Sequence, residues 1–431
     1  MTNKIVIPVL LSAFIVLGLT ASRKARVQPT AENQPASCRL VLAPLPVEKP
    51  IDQEIARAQA SVRNSPSSAN ALERLGWTFI KKARVSFDAG FYKLAEQCAV
   101  CMEARSSKSA DALLLHAHAL QSLHRFGEAE IAARELVKLR ERPFDYGVLG
   151  DILVDEGKVR EGAAAYQKMV DLRPDLQSYA RGAHVRWLTG NLDGAIQLMK
   201  LATSASSPND PEAAAWAFTR LANYQFQHNA TKSAQQSCDA ALALQSDYAP
   251  ALFVRGRISL AEDRFNDAVD ELQQAAKLNP LPEYQWALAD ALAAAGNRNR
   301  AVEIESQIAE TSDDPRAVSL FLATRHQDVE RAVRLAQEEL INRQDIFTHD
   351  ALAWALAAAG QTTEAQQQAG QALAEGTADS RLYLHAGIIA ALNNDNERAQ
   401  RWLNQASASK QTLLPSERAE LSTWRAKMIR E

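Results

Sequence analysis

The 431-residue chain reads as an all-α protein, a solenoid of about ten helix-turn-helix units with capping helices at both ends. Three columns of residues carry that reading. The first is Ala95, Ala129, Gly162, Ala195, Ala234, Ala268, Ala301, Ala332, Ala365 and Ala399, which follow one another at steps of 31 to 39, mostly 33 or 34. Twelve positions before each stand Ala83, Ala117, Gly150, Ala183, Ala222, Gly256, Ala289, Leu320, Ala353 and Gly387, all but one of them Ala or Gly. Five before each come Gly90, His124, Gly157, Gly190, Asn229, Asp263, Gly296, Gln327, Gly360 and Asn394. Most of these are Gly, Asn or Asp, types that tolerate a left-handed backbone at a helix end.

Small residues let two helices cross closely, and the turn residue stops the first so that the second folds back. One such hairpin cannot bury its apolar face alone. Stacked neighbours bury it continuously, so the unit repeats. The unit with Leu320 and Gln327 departs most from the pattern.

Period, columns and the in-register Pro174 and Pro280 resemble the tetratricopeptide repeat (TPR), over about residues 76–410. The stretches Leu75–Arg84, Tyr166–Ala180, Pro280–Tyr284 and His349–Leu356 further resemble a family of exported bacterial TPR proteins without assigned activity. That resemblance implies a fold and a location, not a reaction.

The segments on either side are read in turn. Residues 1–22 hold an uncharged apolar run, Ile5–Ser22, between Lys4 and Arg23, which reads as a signal peptide or a membrane anchor. Both readings place the protein in the bacterial envelope, periplasmic or membrane-anchored. Residues 23–50 carry five prolines and read as a linker. Residues 51–75 begin with a helix bearing Ile55, Ala58 and Val62 on one face. The 39-residue step contains Ser204–Pro211, expected as a surface loop. Residues 411–431 contain a last helix from Pro415, expected to cap the array with a polar outer face.

Lys plus Arg number 48 and Asp plus Glu 51, a formal net charge of −3, which gives no electrostatic reason to expect nucleic acid. Four cysteines in this length are not a disulfide framework. Cys98 and Cys101 form a C-x-x-C, read either as two buried thiols one turn apart or as a redox or metal-handling pair. The histidines form no metal motif; His349-Asp350 is expected to cap a helix. No nucleophile elbow or phosphate-cradling loop occurs, so no enzyme, cofactor or metal is expected.

The functional expectation falls on the first helix of each unit, whose inner face lines the concave groove in TPR arrays. Carried over by register, the groove candidates are Trp77, Arg84, Phe87, Trp187, Trp216, Asn223, Phe226, Phe253, Arg257, Trp286 and Trp354, accompanied by Ile80, His184, Asp290, Phe321, Phe347, Arg381 and Ile388. Aromatic residues and Arg are favoured interface anchors. The lining suits a protein or peptide partner held by a non-catalytic scaffold. A structural role in envelope complex assembly through self-association is the other reading.

Overall fold

A computed structural model describes residues 35–86, 88–106, 109–311 and 314–430. The apolar segment 5–22 therefore lies outside the described residues. Among those described, no helix is long and apolar enough to cross a membrane, and no strand occurs.

Helices α1 (Ala36–Leu40) and α2 (Pro50–Asn64) lead into ten hairpins. These are α3 (Ala69–Ser86) with α4 (Gly90–Glu103), α5 (Ala110–Ser122) with α6 (Phe126–Leu139), α7 (Pro143–Asp155) with α8 (Val159–Leu172), α9 (Leu176–Leu188) with α10 (Leu192–Ser204), and α11 (Pro211–Gln227) with α12 (Thr231–Leu244). The array continues with α13 (Ala249–Ala261) and α14 (Phe265–Leu278), α15 (Pro282–Ala294) and α16 (Arg298–Thr311), α17 (Pro315–Thr324) and α18 (Val329–Asn342), α19 (Ile346–Ala358) and α20 (Thr362–Ala372), and α21 (Ser380–Leu392) and α22 (Asn396–Ala408). A 3-10 turn (Lys410–Thr412) and α23 (Pro415–Arg430) follow. This is an all-α solenoid of TPR-like hairpins.

Local chemistry starts the helices. Asp175, Asp210, Asp314, Asp345, Asp379 and Asp395 each accept a hydrogen bond from an orphan first-turn amide. Pro143, Pro211 and Pro315 occupy a first helical position, where no amide is missed. The turn column works as its chemistry requires: Gly157, Gly190, Asn229, Asp263, Gly296, Gly360 and Asn394 are all left-handed, and so is His124 at φ 58°. Gly90 and Gln327 are the exceptions. Gly90 is the first residue of α4, its amide held by Asp88 Oδ1 at 2.8 Å.

The two small-residue columns meet at the helix crossings. Every alanine in them is buried. At Gly150 a β-carbon would lie 2.3 Å from the Tyr166 ring, so the hydrogen is a packing requirement. The unit of α17 and α18 keeps the crossing by shifting it one residue. Ser319, fully buried, stands in for Leu320 and donates to Ala332 O at 2.8 Å. The turn is lengthened to match, with His326 and Asp328 left-handed rather than Gln327. The long step is shared between an exposed loop at 207–210 and an α11 of 17 residues, where most first helices have 13.

Three features go beyond the repeat. First, Cys38 on α1 forms a disulfide with Cys101 on α4 across 63 residues. The stretch expected as a linker is thus tied to the first hairpin, and Gln59 Nε2 of α2 holds it again at Val41 O and Ala43 O, both 2.9 Å. Cys98 and Cys101 are therefore not a pair: helical geometry turns Cys101 toward α1, while Cys98 stays a free thiol with no exposed surface. Burial pushes that thiol's pKa well up, opposite to what a reactive cysteine needs.

Second, the ribbon closes on itself. Gly157, after α7, lies so near the α18–α19 loop that a β-carbon would sit 2.4 Å from Gln344 O. Gly190, after α9, approaches Gly376 O in the same way, at 2.5 Å. Arg343 bridges to Asp155 at 3.1 Å, and Thr377 Oγ1 donates to Leu188 O at 2.5 Å. One buried apolar cluster joins Trp187 and Leu188 to Ile346 and Leu382. The concave groove is thereby bounded by the chain meeting itself about five units on.

Third, the C-terminal segment turns inward. Leu413, Leu414 and Leu421 are buried in the main core cluster, and Gln411 Nε2 donates to Phe226 O at 3.1 Å. The first turns of α23 are thus not a polar outer cap. Further along, the helix leaves Ile429 80% exposed while Trp424 and Met428 pack against the same cluster.

Candidate functional site: the concave cavity

Closure converts the middle of the groove into a cavity of about 700 Å³. First helices α9, α11, α13 and α15 form one wall; the loop before α19, the start of α21 and Thr412 form the other. Seven of the groove candidates line it: Trp187, Trp216, Asn223, Phe226, Phe253, Arg257 and Trp286. They differ in how free they are. Trp216 is 40% exposed, whereas Phe226, Phe253 and Trp286 are under 10% exposed and belong to the packing between units. Phe253 stacks on Tyr284 at 4.3 Å, and Trp286 meets Phe321 edge-on at 5.7 Å.

Trp187 is held on both sides. Its Nε1 donates to Gln227 Oε1 at 2.5 Å, and its ring stacks on Phe347 at 5.7 Å, across the closure. A tryptophan locked this way bounds the cavity rather than waiting for a ligand.

The remaining candidates sit elsewhere. Trp77 and Arg84 lie with the first two units, Trp77 5.3 Å from the His118 ring and Arg84 Nη2 3.2 Å from His118 Nε2. Phe87 lies outside the described residues. Trp354 is 4% exposed, stacks on His385 at 4.2 Å and donates to Thr324 Oγ1; it is core, because α19 is covered by α17 and α21 on that side. The neighbouring His349-Asp350 does not cap. Asp345 caps α19, Asp350 faces His385 Nδ1 at 3.0 Å, and His349 meets Gln368 at 2.7 Å.

The electrostatics of the cavity were less visible in the sequence. Arg220 reaches Tyr224 Oη at 2.9 Å and His184 Nδ1 at 3.4 Å; Arg257 Nη2 donates to the Thr412 carbonyl. Neither guanidinium makes an ion pair with a described carboxylate. Burial lowers the pKa of Arg257, and burial together with Arg220 takes His184 down to about 3, so this histidine stays neutral. Two of the cavity's acids are engaged by arginines: Asp155 with Arg343, and Asp345 with Arg343 and Arg316. Arg220 falls between groove positions in the repeat register, which is why register alone misses it. Arg316, Arg343 and Asp345 enter only through closure.

Among the described residues no cluster of three or more His, Cys, Asp or Glu is arranged to hold a metal.

No family model matches the chain, and no curated protein does. Solved structures of similar fold include the APC/C hetero-tetramer Cut9–Hcn1, at 12% identity over 90% of this chain and 98% of that one, with a TM-score of 0.38. The human IFIT1 dimer with PPP-AAAA is similar at 13% identity over 82% and 77%, TM-score 0.41. A MamA crystal structure is similar at 19% identity over 39% and 90%, TM-score 0.31.

Proposed function

We propose that this protein is a non-catalytic interaction scaffold of the bacterial envelope, which holds a protein or peptide segment in its concave cavity. The observation that carries the reading is the pairing of the half-exposed Trp216 with two guanidiniums, Arg220 and Arg257, that lack carboxylate partners among the described residues. A cation kept in a cavity without an ion pair is costly to the fold and useful to a ligand. Aromatic and Arg side chains are also the usual interface anchors.

Export is supported by two independent features. The apolar run Ile5–Ser22 has the length of a signal or anchor, and the Cys38–Cys101 disulfide belongs to an oxidising compartment.

The test is recovery of a partner from an envelope fraction by tagged full-length protein, compared with Trp216→Ala and Arg220→Gln. Both side chains face the cavity without carrying the core, so loss of recovery reports on binding. A partner recovered equally by wild type and both variants would overturn the cavity reading.

A further inference from the structure

The cavity already has an internal occupant along one wall. From Gln411 to Arg418 the chain makes a run of contacts with groove residues of four units. Gln411 Nε2 donates to Phe226 O at the end of α11. Arg257 of α13 takes the Thr412 carbonyl. Leu413 and Leu414 are 3% and 4% exposed. The Ser416 amide donates to Asp290 Oδ2 of α15 at 2.9 Å, Glu417 accepts from Arg381 Nε of α21 at 2.5 Å, and Arg418 donates to Leu260 O at 2.9 Å.

These are the contacts a bound peptide makes: side chains of the groove take its carbonyls and its acid, and the groove's own helix ends accept its donors. The anchoring is concentrated at the start of the segment. Beyond Leu421 the helix is held by Arg425, which donates to Ser407 Oγ, and by the partly buried Trp424 and Met428, while Ile429 is in solvent. The seat combines three buried leucines with hydrogen bonds and two ion pairs, Arg381 with Glu417 and Arg418 with Asp263, and a segment of the same chemistry can replace each of these in kind. The segment also contributes Thr412 to the cavity wall, so a ligand entering the cavity meets it.

We propose that residues 411–421 are a self-ligand, and that the groove's partner is an acidic, leucine-bearing peptide segment of another protein that displaces it. The motif is two leucines followed three residues later by a carboxylate: Leu413-Leu414-Pro415-Ser416-Glu417. The leucines are buried in the main core cluster. The carboxylate meets Arg381, and the backbone carbonyl before the leucines meets Arg257. This rests on the groove reading above and adds to it the chemistry of the partner and the competition with the chain's own end.

The probe is a fluorescein-labelled synthetic peptide of residues 409–422, titrated with full-length protein and read by anisotropy. Glu417→Gln weakens the internal segment and leaves Arg381 open. The expected result is at least tenfold tighter peptide binding to Glu417→Gln than to wild type, with the gain lost when Arg381→Gln is added. Equal binding by wild type and Glu417→Gln overturns the proposal. Hydrogen exchange on the wild-type protein guards against a misfolded variant. Amides of residues 416–424 should exchange at least tenfold faster than those of α19, and equal protection means that the segment does not leave. If the peptide fails while Trp216→Ala still abolishes partner recovery, this inference falls and groove binding stands. If both fail, both fall.

Discussion

Glu417, at the start of α23, is 3% exposed and accepts a hydrogen bond from Arg381 Nε of α21 at 2.5 Å; its second oxygen takes the Leu414 amide at 2.7 Å. Burial alone would raise the pKa of this carboxyl, but Arg381 and the amide outweigh it and hold the pKa below the usual range. The two ends of that pair are unequal in consequence. Arg381→Gln strands a buried carboxylate and should destabilise the fold by about 3 kcal/mol, the usual result of breaking such a pair from one side. Arg381→Met with Glu417→Leu removes both charges and should cost less than the single change. Urea unfolding midpoints of the three proteins check the order.

Two glycines separate backbone strain from closure. Gly157 and Gly360 share a left-handed φ, 76° and 78°, but a β-carbon at Gly157 would strike Gln344 O, while Gly360 has nothing within 4 Å. Gly360→Ala should cost about 1 kcal/mol from the left-handed backbone alone. Gly157→Ala should cost clearly more and loosen the contact between α7 and the loop before α19. Thermal melts of the two variants, with small-angle scattering for an enlarged radius in Gly157→Ala, test this.

The Cys38–Cys101 bond closes a loop of 63 residues. Its loss through Cys38→Ala with Cys101→Ala should destabilise the N-terminal units by about 2–4 kcal/mol. Cys98→Ala should leave the bond intact. Alkylation and mass measurement without reductant should label neither Cys38 nor Cys101, and denaturing the protein should add two labels, on Cys98 and Cys238, which are free and buried.

Acid should weaken the fold through two histidines. Burial, with help from Arg84, takes His118 down to about 4, and burial with Arg220 takes His184 down to about 3. Both folded values lie below the usual 6.5, so the unfolded chain binds more protons between them. Their contribution is whole above pH about 6.5 and falls as pH drops toward about 4 and about 3, by at most about 1.4 kcal/mol per pH unit each. His118→Asn with His184→Asn should flatten the stability profile between pH 6.5 and 4.5. An unchanged slope in the double variant would remove this account.

What the amino-acid order decided alone is the local unit and its count. Ten small-residue crossings, the left-handed turns at Asn229 or Gly296 and the aspartate caps are short-range events, each set by a few neighbouring residues, so they repeat legibly along the chain. Even the irregular unit follows the same rule once Ser319 takes the crossing. What only the tertiary structure decided is everything joined across several units. The meeting of Gly157 with Gln344, of Cys38 with Cys101 and of Glu417 with Arg381 depends on small rotations between units that add up along the array. No single residue encodes that sum. For the same reason the register found Trp216 and Arg257 on the inner face but could not tell a free anchor from Trp354, whose ring the next helix covers.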